Sequence, residues 1–494
     1  MLDSLRPRMT LVAALLVVAG VYRLWLMSQY FGWEESDYGN LAMARGVLDS
    51  GFRHYDMNHL PLYYGLSAAV MAVVGDAVLA TRAVSLLGGL LTVGLAVVLA
   101  DRVAGRRVAW TVGLVCAFQP ELALYSASSL REPVYAAAVV GCLVALSRDR
   151  LVLASVAAGL AFLTRMDALV TLGPVLLLHA AGRGPRAQRL GKVALPLAGG
   201  VGGWAAYCKA MHGTWQFWAH SVGVNVETGG TELAPGGAQW LLDGFAVAGA
   251  LVLQVLPSRI GWLLFVGLLA GLATVPWRRH DIRRTLAAAA VCLLGFWLGI
   301  AFVAQHEPGH NLYWKWLHGV LPPVLVVAGI GAWRLAAVVE GVAGKAASRV
   351  VLVLGATQAV WAMGTETARQ IDVSQQLYKP QLDLARWIEA EVPEGTPMVL
   401  DNIPACWLDR RSHERSLHSW FDLPVTPNDR GAFAIWLDNE DIGYVLWFEE
   451  EWTQAPVLAP WLANPTTHRL GTVVLVPLQH EPEYGWIFYK VEAQ

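Results

Sequence analysis

Apolar runs of about 20 residues recur along the 494-residue chain, separated by short polar breaks. A helical run of that length spans the hydrocarbon core of a bilayer, and helices are one of two structures that satisfy their backbone there. The pattern predicts spans at 10–30, 79–101, 108–125, 132–147, 151–164, 167–181, 193–209, 260–276, 285–304, 318–339 and 350–366. The stretches 151–164 and 167–181 are short for free-standing spans and need tight packing. Two more apolar segments, 61–75 and 241–256, are long enough for helices. If one of them alone crossed, the next arginine cluster would change sides, so both read as re-entrant or surface-lying helices. If both cross, the count rises from 11 to 13.

After about residue 367 the pattern changes to that of a soluble α/β unit. Residues 381–392 place Leu384, Trp387, Ile388 and Val392 on one helical face. Strands are predicted at 397–400, 443–448, 472–476 and 486–491, where β-branched and aromatic residues cluster. The expected organisation is a transmembrane catalytic module over 1–367, with a first outer loop at 31–78, and an extracytoplasmic α/β domain over 368–494.

Composition agrees. The chain is 55% hydrophobic and 15% charged, against about 25% charged for soluble proteins, and its mean hydropathy is +0.45. A signal peptide is not expected, because 10–30 is a full-length span followed by others. The net charge of -2 argues against a nucleic-acid surface. Cys116, Cys142, Cys208 and Cys292 lie in or beside apolar runs and Cys406 in the tail, with no zinc or disulfide framework. Gly199-Gly200-Val201-Gly202-Gly203 lies in a span and lacks the lysine of a phosphate loop.

Basic clusters set the orientation. Arg6 and Arg8 precede the first span; Arg102, Arg106 and Arg107, Arg148 and Arg150, Arg183 to Lys192, Arg278 to Arg284, and Lys345 with Arg349 follow. Placing all of them in the cytosol leaves 31–78, 126–131, 210–259, 305–317 and the tail outside.

The outer loops carry the candidate chemistry. Glu34, Glu35 and Asp37 crowd the exit of the first span. Crowded carboxylates raise the pKa of one member, giving a base of useful strength near neutral pH. The same three suit Mg²⁺ or Mn²⁺ against a phosphate, although no pattern demands a cofactor; a solvated acidic loop end reads the same locally. Arg53, His54, Asp56 and His59 precede an apolar helix opened by Pro61, as a headgroup wall or as an ordinary interfacial belt. Glu132 before Pro133 suits a helix N-terminus through dipole and φ alone. Arg165 and Asp167 lie between apolar runs, so they are paired or functional, and the arginine offers a phosphate fork. His306, Glu307 and His310 form a weak zinc candidate broken by Pro308-Gly309. Lys315 among Tyr313, Trp314 and Trp316 better suits an anionic lipid head.

In order and spacing these motifs resemble the GT-C superfamily of membrane glycosyltransferases, nearest the bacterial dolichyl-phosphate-mannose-mannosyltransferase and aminoarabinose-transferase group. The matching residues are Glu34-Glu35-Ser36-Asp37-Tyr38, Ala42-Met43-Ala44-Arg45, His59-Leu60-Pro61-Leu62-Tyr63-Tyr64, Glu132-Pro133, Leu163-Thr164-Arg165, and Tyr313 through Pro322-Pro323. The family's leading acid is usually Asp, where this chain has Glu34. The resemblance implies sugar transfer, hexosyl or pentosyl and with inversion, from a polyprenyl-phosphate carrier to a lipid, glycan or protein acceptor. It places the reaction on the outer face of a bacterial inner membrane. Glu34, Glu35, Asp37 and Glu132 would be catalytic, and Arg53, His59, Arg165, Tyr313 and Lys315 would bind substrate or phosphate. Two alternatives stand beside it: an O-antigen ligase or polymerase using lipid-diphosphate glycans, and a transporter or flippase. A transporter would gather its charges near the midplane and show repeats, and neither is evident.

Overall fold

The computed structural model describes the chain apart from residues 1, 30–34, 54–58, 183–184, 216–236, 276–281, 305–310, 394, 401, 409–416, 420–428, 449–461, 483–485 and 494; some side chains beside these gaps, including Glu35, Asp37 and Tyr313, also lie outside the description. Ten helices come first: α1 Leu2–Gln29, α2 Glu35–Ser50, α3 Pro61–Val74, α4 Ala77–Ala104, α5 Arg106–Phe118, α6 Pro120–Ala127, α7 Glu132–Ser147, α8 Leu151–Phe162, α9 Ala168–Ala181 and α10 Arg186–His212. Then come α11 Gly237–Ala250, a π turn Leu251–Val255, α12 Leu256–Ile260, α13 Trp262–Ala273, α14 Ile282–Ala304 and the long α15 Asn311–Leu377.

Among the described residues every predicted span coincides with helix, with two instructive departures. The stretch 108–125 is broken: α5 and α6 meet at a 52° bend, because Gln119 is extended and Pro120 starts a new helix. Predicted spans 318–339 and 350–366 are two arms of α15, separated at Gly344, whose φ of 86° ends one helix before the next begins. The stretch 241–256 becomes Leu241–Ile260, 20 residues that pass for a membrane crossing by length and composition. The π turn and Pro257 at the start of α12 let the helix run on, so the re-entrant or surface-lying reading and the crossing one both stay open. Among the described residues five helices pass that test, or six with the bent pair; α3, α7, α8, α9 and α13 are shorter apolar helices.

The short helices persist because neighbours cover them. α7 is buried on nearly all sides, as a helix apolar all round must be. α13 meets α15 through glycines: a Cβ on Gly331 would fall on the Gly267 carbonyl oxygen, and one on Gly271 would reach the Val327 carbonyl. Small residues let membrane helices pack by close backbone approach. Gly331→Val therefore separates α13 from α15 and destabilises by about 1–3 kcal/mol; a lowered unfolding midpoint in detergent is the expected readout, and an unchanged one would contradict the packing.

The two ends of the bundle differ chemically. At one end Asp149, between α7 and α8, accepts from Arg189 at 2.9 Å and bonds His179 at 3.2 Å, while His179 also reaches Thr285 at 2.9 Å. The hydrogen bonds from Arg189 hold the Asp149 carboxyl down at about 2. Arg334 donates to the Thr274 carbonyl at 3.1 Å at this same end. The opposite end carries the α2–α3 and α6–α7 connections.

The tail continues as α16 Lys379–Glu391, β1 Met398–Leu400, α17 Asn402–Leu408, β2 Leu417–Ser419, α18 Arg430–Asn439, β3 Tyr444–Phe448, β4 His468–Leu470, β5 Val473–Glu481 and β6 Trp486–Ala493. One sheet of order β2-β1-β3-β6-β5-β4 results, with β1 parallel to β2 and β3 and the other pairs antiparallel. Strand alternation divides its two faces. Val399, Val445, Trp447, Ile487 and Tyr489 meet Phe433, Trp436 and Leu437 of α18. Met398, Leu400, Leu446 and Phe488 meet Leu384, Ala385 and Ile388 of α16. The four predicted strands and the predicted helix are present; β2, β4, α17 and α18 are additional.

Candidate active site

The end bearing the α2–α3 and α6–α7 connections is built on a chain of buried hydrogen bonds. Asn40 of α2 donates to the Ser129 carbonyl at 2.8 Å and accepts from the Tyr64 hydroxyl at 2.6 Å. Thr81 donates to Ser129 Oγ at 2.9 Å, and Ser85 donates to the Leu130 carbonyl at 2.7 Å. The turn between α6 and α7 is buried and needs these partners for its free carbonyls. The result fixes α2 against the turn that delivers Glu132. The helix α2 begins at Glu35, five residues before Asn40.

Glu132 opens α7 and is 2% exposed. Its Oε1 accepts from Arg165 Nη1 at 2.7 Å, and Arg165 Nε donates to Asp167 Oδ1 at 3.0 Å. The guanidinium lies 4.1 Å from the Trp316 ring centroid and 5.7 Å from that of Tyr135, a cation–π arrangement that holds its plane. Gly319 makes room for Tyr135, since a Cβ there would strike the ring. Arg131 and Lys315 add positive potential at Glu132. Two polar atoms stay open: Glu132 Oε2 has no hydrogen-bond partner among the described residues, and Arg165 Nη2 donates to none of them. A buried carboxylate oxygen without a partner is costly.

Beneath this layer lie charges that the sequence pattern did not single out. Arg23 of α1 is fully buried and donates to the carbonyls of Ala117 at 3.0 Å and of Cys116 and Leu122 at 3.2 and 3.3 Å. The Cys116 and Ala117 carbonyls are freed at the C-terminal, negative end of the α5 dipole, whereas Leu122 lies in the first turn of α6. Glu121 of α6 pairs with Arg259 of α12 at 3.0 Å, and Arg259 also pairs with Glu366 of α15. His318 is buried, stacks on Tyr125 at 5.3 Å and bonds the Glu121 carbonyl at 3.0 Å through Nδ1. An ionisable residue inside an apolar run was the available signal for Arg23 and Glu121.

The structure thus gathers Glu132, Arg165, Asp167, Tyr135, Trp316 and Lys315. Arg53 is exposed in the turn after α2, and His59 is half-buried with its ring edge-on to Tyr64 at 5.7 Å. Glu34, His306, Glu307 and His310, and the side chains of Glu35, Asp37 and Tyr313, lie outside the described residues. Among the described residues no three His, Cys, Asp or Glu side chains gather as a metal site.

No protein-family model matches the chain, and no curated protein does. Solved structures do. ArnT of Cupriavidus metallidurans, bound to undecaprenyl phosphate, aligns over 98% of this chain and 97% of its own, with a TM-score of 0.62 at 15% identity. AglB of Archaeoglobus fulgidus, an archaeal oligosaccharyltransferase in complex with an inhibitory peptide and a dolichol-phosphate, aligns over 91% of this chain and 71% of its own, with a TM-score of 0.54 at 12% identity. AglB has also been solved with Zn and sulfate, with a TM-score of 0.52. The chain is a multi-pass helical membrane protein with the GT-C fold. Its likeness to ArnT runs through both the helical bundle and the C-terminal sheet.

Proposed function

We propose that the protein is a glycosyltransferase that moves a sugar from a polyprenyl-phosphate carrier to a lipid, glycan or protein acceptor outside the membrane. One observation carries the reading: Glu132, Arg165 and Lys315 meet at the end of the fold where α2 is docked through Asn40. The acceptor hydroxyl attacks the anomeric carbon and its proton passes to a carboxylate of Glu34, Glu35 or Asp37. The bond from the anomeric carbon to the phosphate oxygen breaks, and its electron pair stays on the phosphate. Attack opposite that phosphate inverts the centre. Arg165 Nη2 and Lys315 supply the positive charge that the departing phosphate meets, and Arg53, His59 and Tyr313 are the further substrate- or phosphate-binding residues of this reading. The acids of the knot have the hard oxygen donors that suit Mg²⁺ or Mn²⁺; such an ion would screen the phosphate charge.

Purified protein given polyprenyl-phosphate sugars and a membrane extract as the source of acceptor, without nucleotide sugars, should release polyprenyl phosphate detectable by mass spectrometry. Turnover of a lipid-diphosphate glycan alone would replace this reading with a ligase. Arg165→Lys keeps a cation beside Glu132 and removes the fork. Donor KM is expected to rise about ten- to a hundredfold, since a charged hydrogen bond contributes about 1.5–3 kcal/mol; an unchanged KM would leave Arg165 a purely structural role.

In this reading the N-terminus is cytosolic, the Asp149–Arg189 end is its cytosolic face, and 368–494 forms the extracytoplasmic domain beyond the 1–367 module. A cysteine introduced at Asn428 should react with a membrane-impermeant reagent in intact cells. Reaction only after permeabilisation would reverse the orientation.

A further inference from the structure

A cavity of about 460 Å³ opens between the C-terminal part of α1 and the second arm of α15, within the usual size of small-ligand sites. One wall is aromatic: the rings of Tyr22 and Trp25 lie 5.8 Å apart at 20°. The facing wall presents Thr367, Asp372 and Gln375 among Gly364, Ala368 and Ile371, with Gln29 at the helix end. The walls are tied together, because Tyr22 donates to Thr367 Oγ1 at 3.4 Å and Gln375 donates to the Gln29 carbonyl at 3.2 Å. Trp25 is 49% exposed and lies four residues, about 6 Å of helix rise, from the end of α1. Tryptophans near the end of a span favour the headgroup level of a lipid.

Charge selects the occupant. Asp372 lines the cavity, and among the described residues no lysine or arginine does. Among the described residues the cavity thus offers a phosphate no cationic partner, and it differs in kind from the Arg165–Lys315 site. Ring faces bear negative quadrupole charge and attract the slightly positive C–H face of a pyranose, while carboxylate and amide groups accept from and donate to its hydroxyls.

We infer that this cleft binds the uncharged sugar headgroup of a membrane glycolipid, the acceptor of the transfer. The inference rests on the glycosyltransferase reading for the word acceptor, and on the cleft alone for the sugar. The lipid tail then follows the membrane-facing side of α1, and the sugar hydroxyl is presented from the bilayer.

The test uses full-length protein in nanodiscs with three probes: hexyl β-D-glucoside, its 6-phosphate, and hexanol. Saturation-transfer NMR should show transfer to the sugar-ring protons of hexyl glucoside and little to hexanol or the phosphate. Trp25→Leu should weaken glucoside binding about three- to tenfold, the worth of one aromatic contact. Asp372→Asn changes one charge on an exposed residue and should admit the 6-phosphate. Equal transfer to hexanol, or glucoside binding untouched by Trp25→Leu, would make the cleft a tail groove and overturn the inference. Exclusion of the 6-phosphate unchanged in Asp372→Asn would overturn the charge argument. None of these readouts depends on turnover. A protein that binds the glucoside but releases no polyprenyl phosphate from any donor would refute the transfer reading and leave the sugar site standing.

Discussion

Glu35→Gln, and in parallel Glu34→Gln, is expected to lower sugar transfer about 10²- to 10⁴-fold, the usual loss when a placed general base is removed. Glutamine keeps shape and hydrogen bonding while discarding the charge that accepts the proton. The chain offers two glutamates and Asp37 within four positions, and the fold starts α2 at Glu35 with Asn40 locked to the Ser129 carbonyl. The larger loss of the two identifies the base, and Asp37→Asn should give the smaller effect of a supporting group. Initial rates at saturating donor, on protein that elutes as a single species, decide it. Wild-type rates in both glutamine variants would remove the acidic knot from the chemistry and shift attention to Glu132.

Arg259→Leu is expected to destabilise by about 3–5 kcal/mol, because it strands a buried charge. Glu121 is 0% exposed, and its Oε1 lies 3.0 Å from Arg259 Nη1. Arg259 also pairs with Glu366, which Arg369 holds from the other side at 2.7 Å. The pair joins α6, α12 and α15. The double variant Arg259→Leu with Glu121→Leu should recover much of the loss, since replacing both partners of a buried pair is often close to neutral. A fall in the detergent unfolding midpoint for the single variant, and recovery in the double, is the expected pattern. No fall in the single variant would mean that Glu121 is held neutral and the ion pair contributes nothing.

Much of the architecture is legible in the chain because membrane helices and strands advertise themselves by period and length. The spans at 79–101 and 285–304 correspond to α4 and α14, and the β-branched and aromatic clusters around Met398–Leu400 and Tyr444–Phe448 mark β1 and β3. Short elements are not legible in this way. β2 and β4 have three residues each, too few for a pattern, and exist because neighbouring strands offer free backbone groups. α18 is marked by Asp429, which accepts from Gly431 and Ala432 as an N-cap, a signal that sequence carries but that many aspartates share.

The site divides the same way. Local spacing singles out Glu132 and Arg165 at a membrane edge, yet leaves open whether Arg165 pairs with Asp167 or with another loop. The fold shows both: one guanidinium nitrogen faces Asp167 and another faces Glu132, 33 residues away in sequence. The aromatic cover from Trp316 and the hidden partners Arg23, Glu121 and His318 come from helices distant in the chain. Sequence alone determined the membrane class, the helical segments, the α/β tail and the residue types able to do chemistry, because burial period and charge placement are local properties. Tertiary structure decided which charges neutralise one another, where the bent helix turns and what lines the sugar-sized cleft, because those outcomes depend on which helix faces pack together.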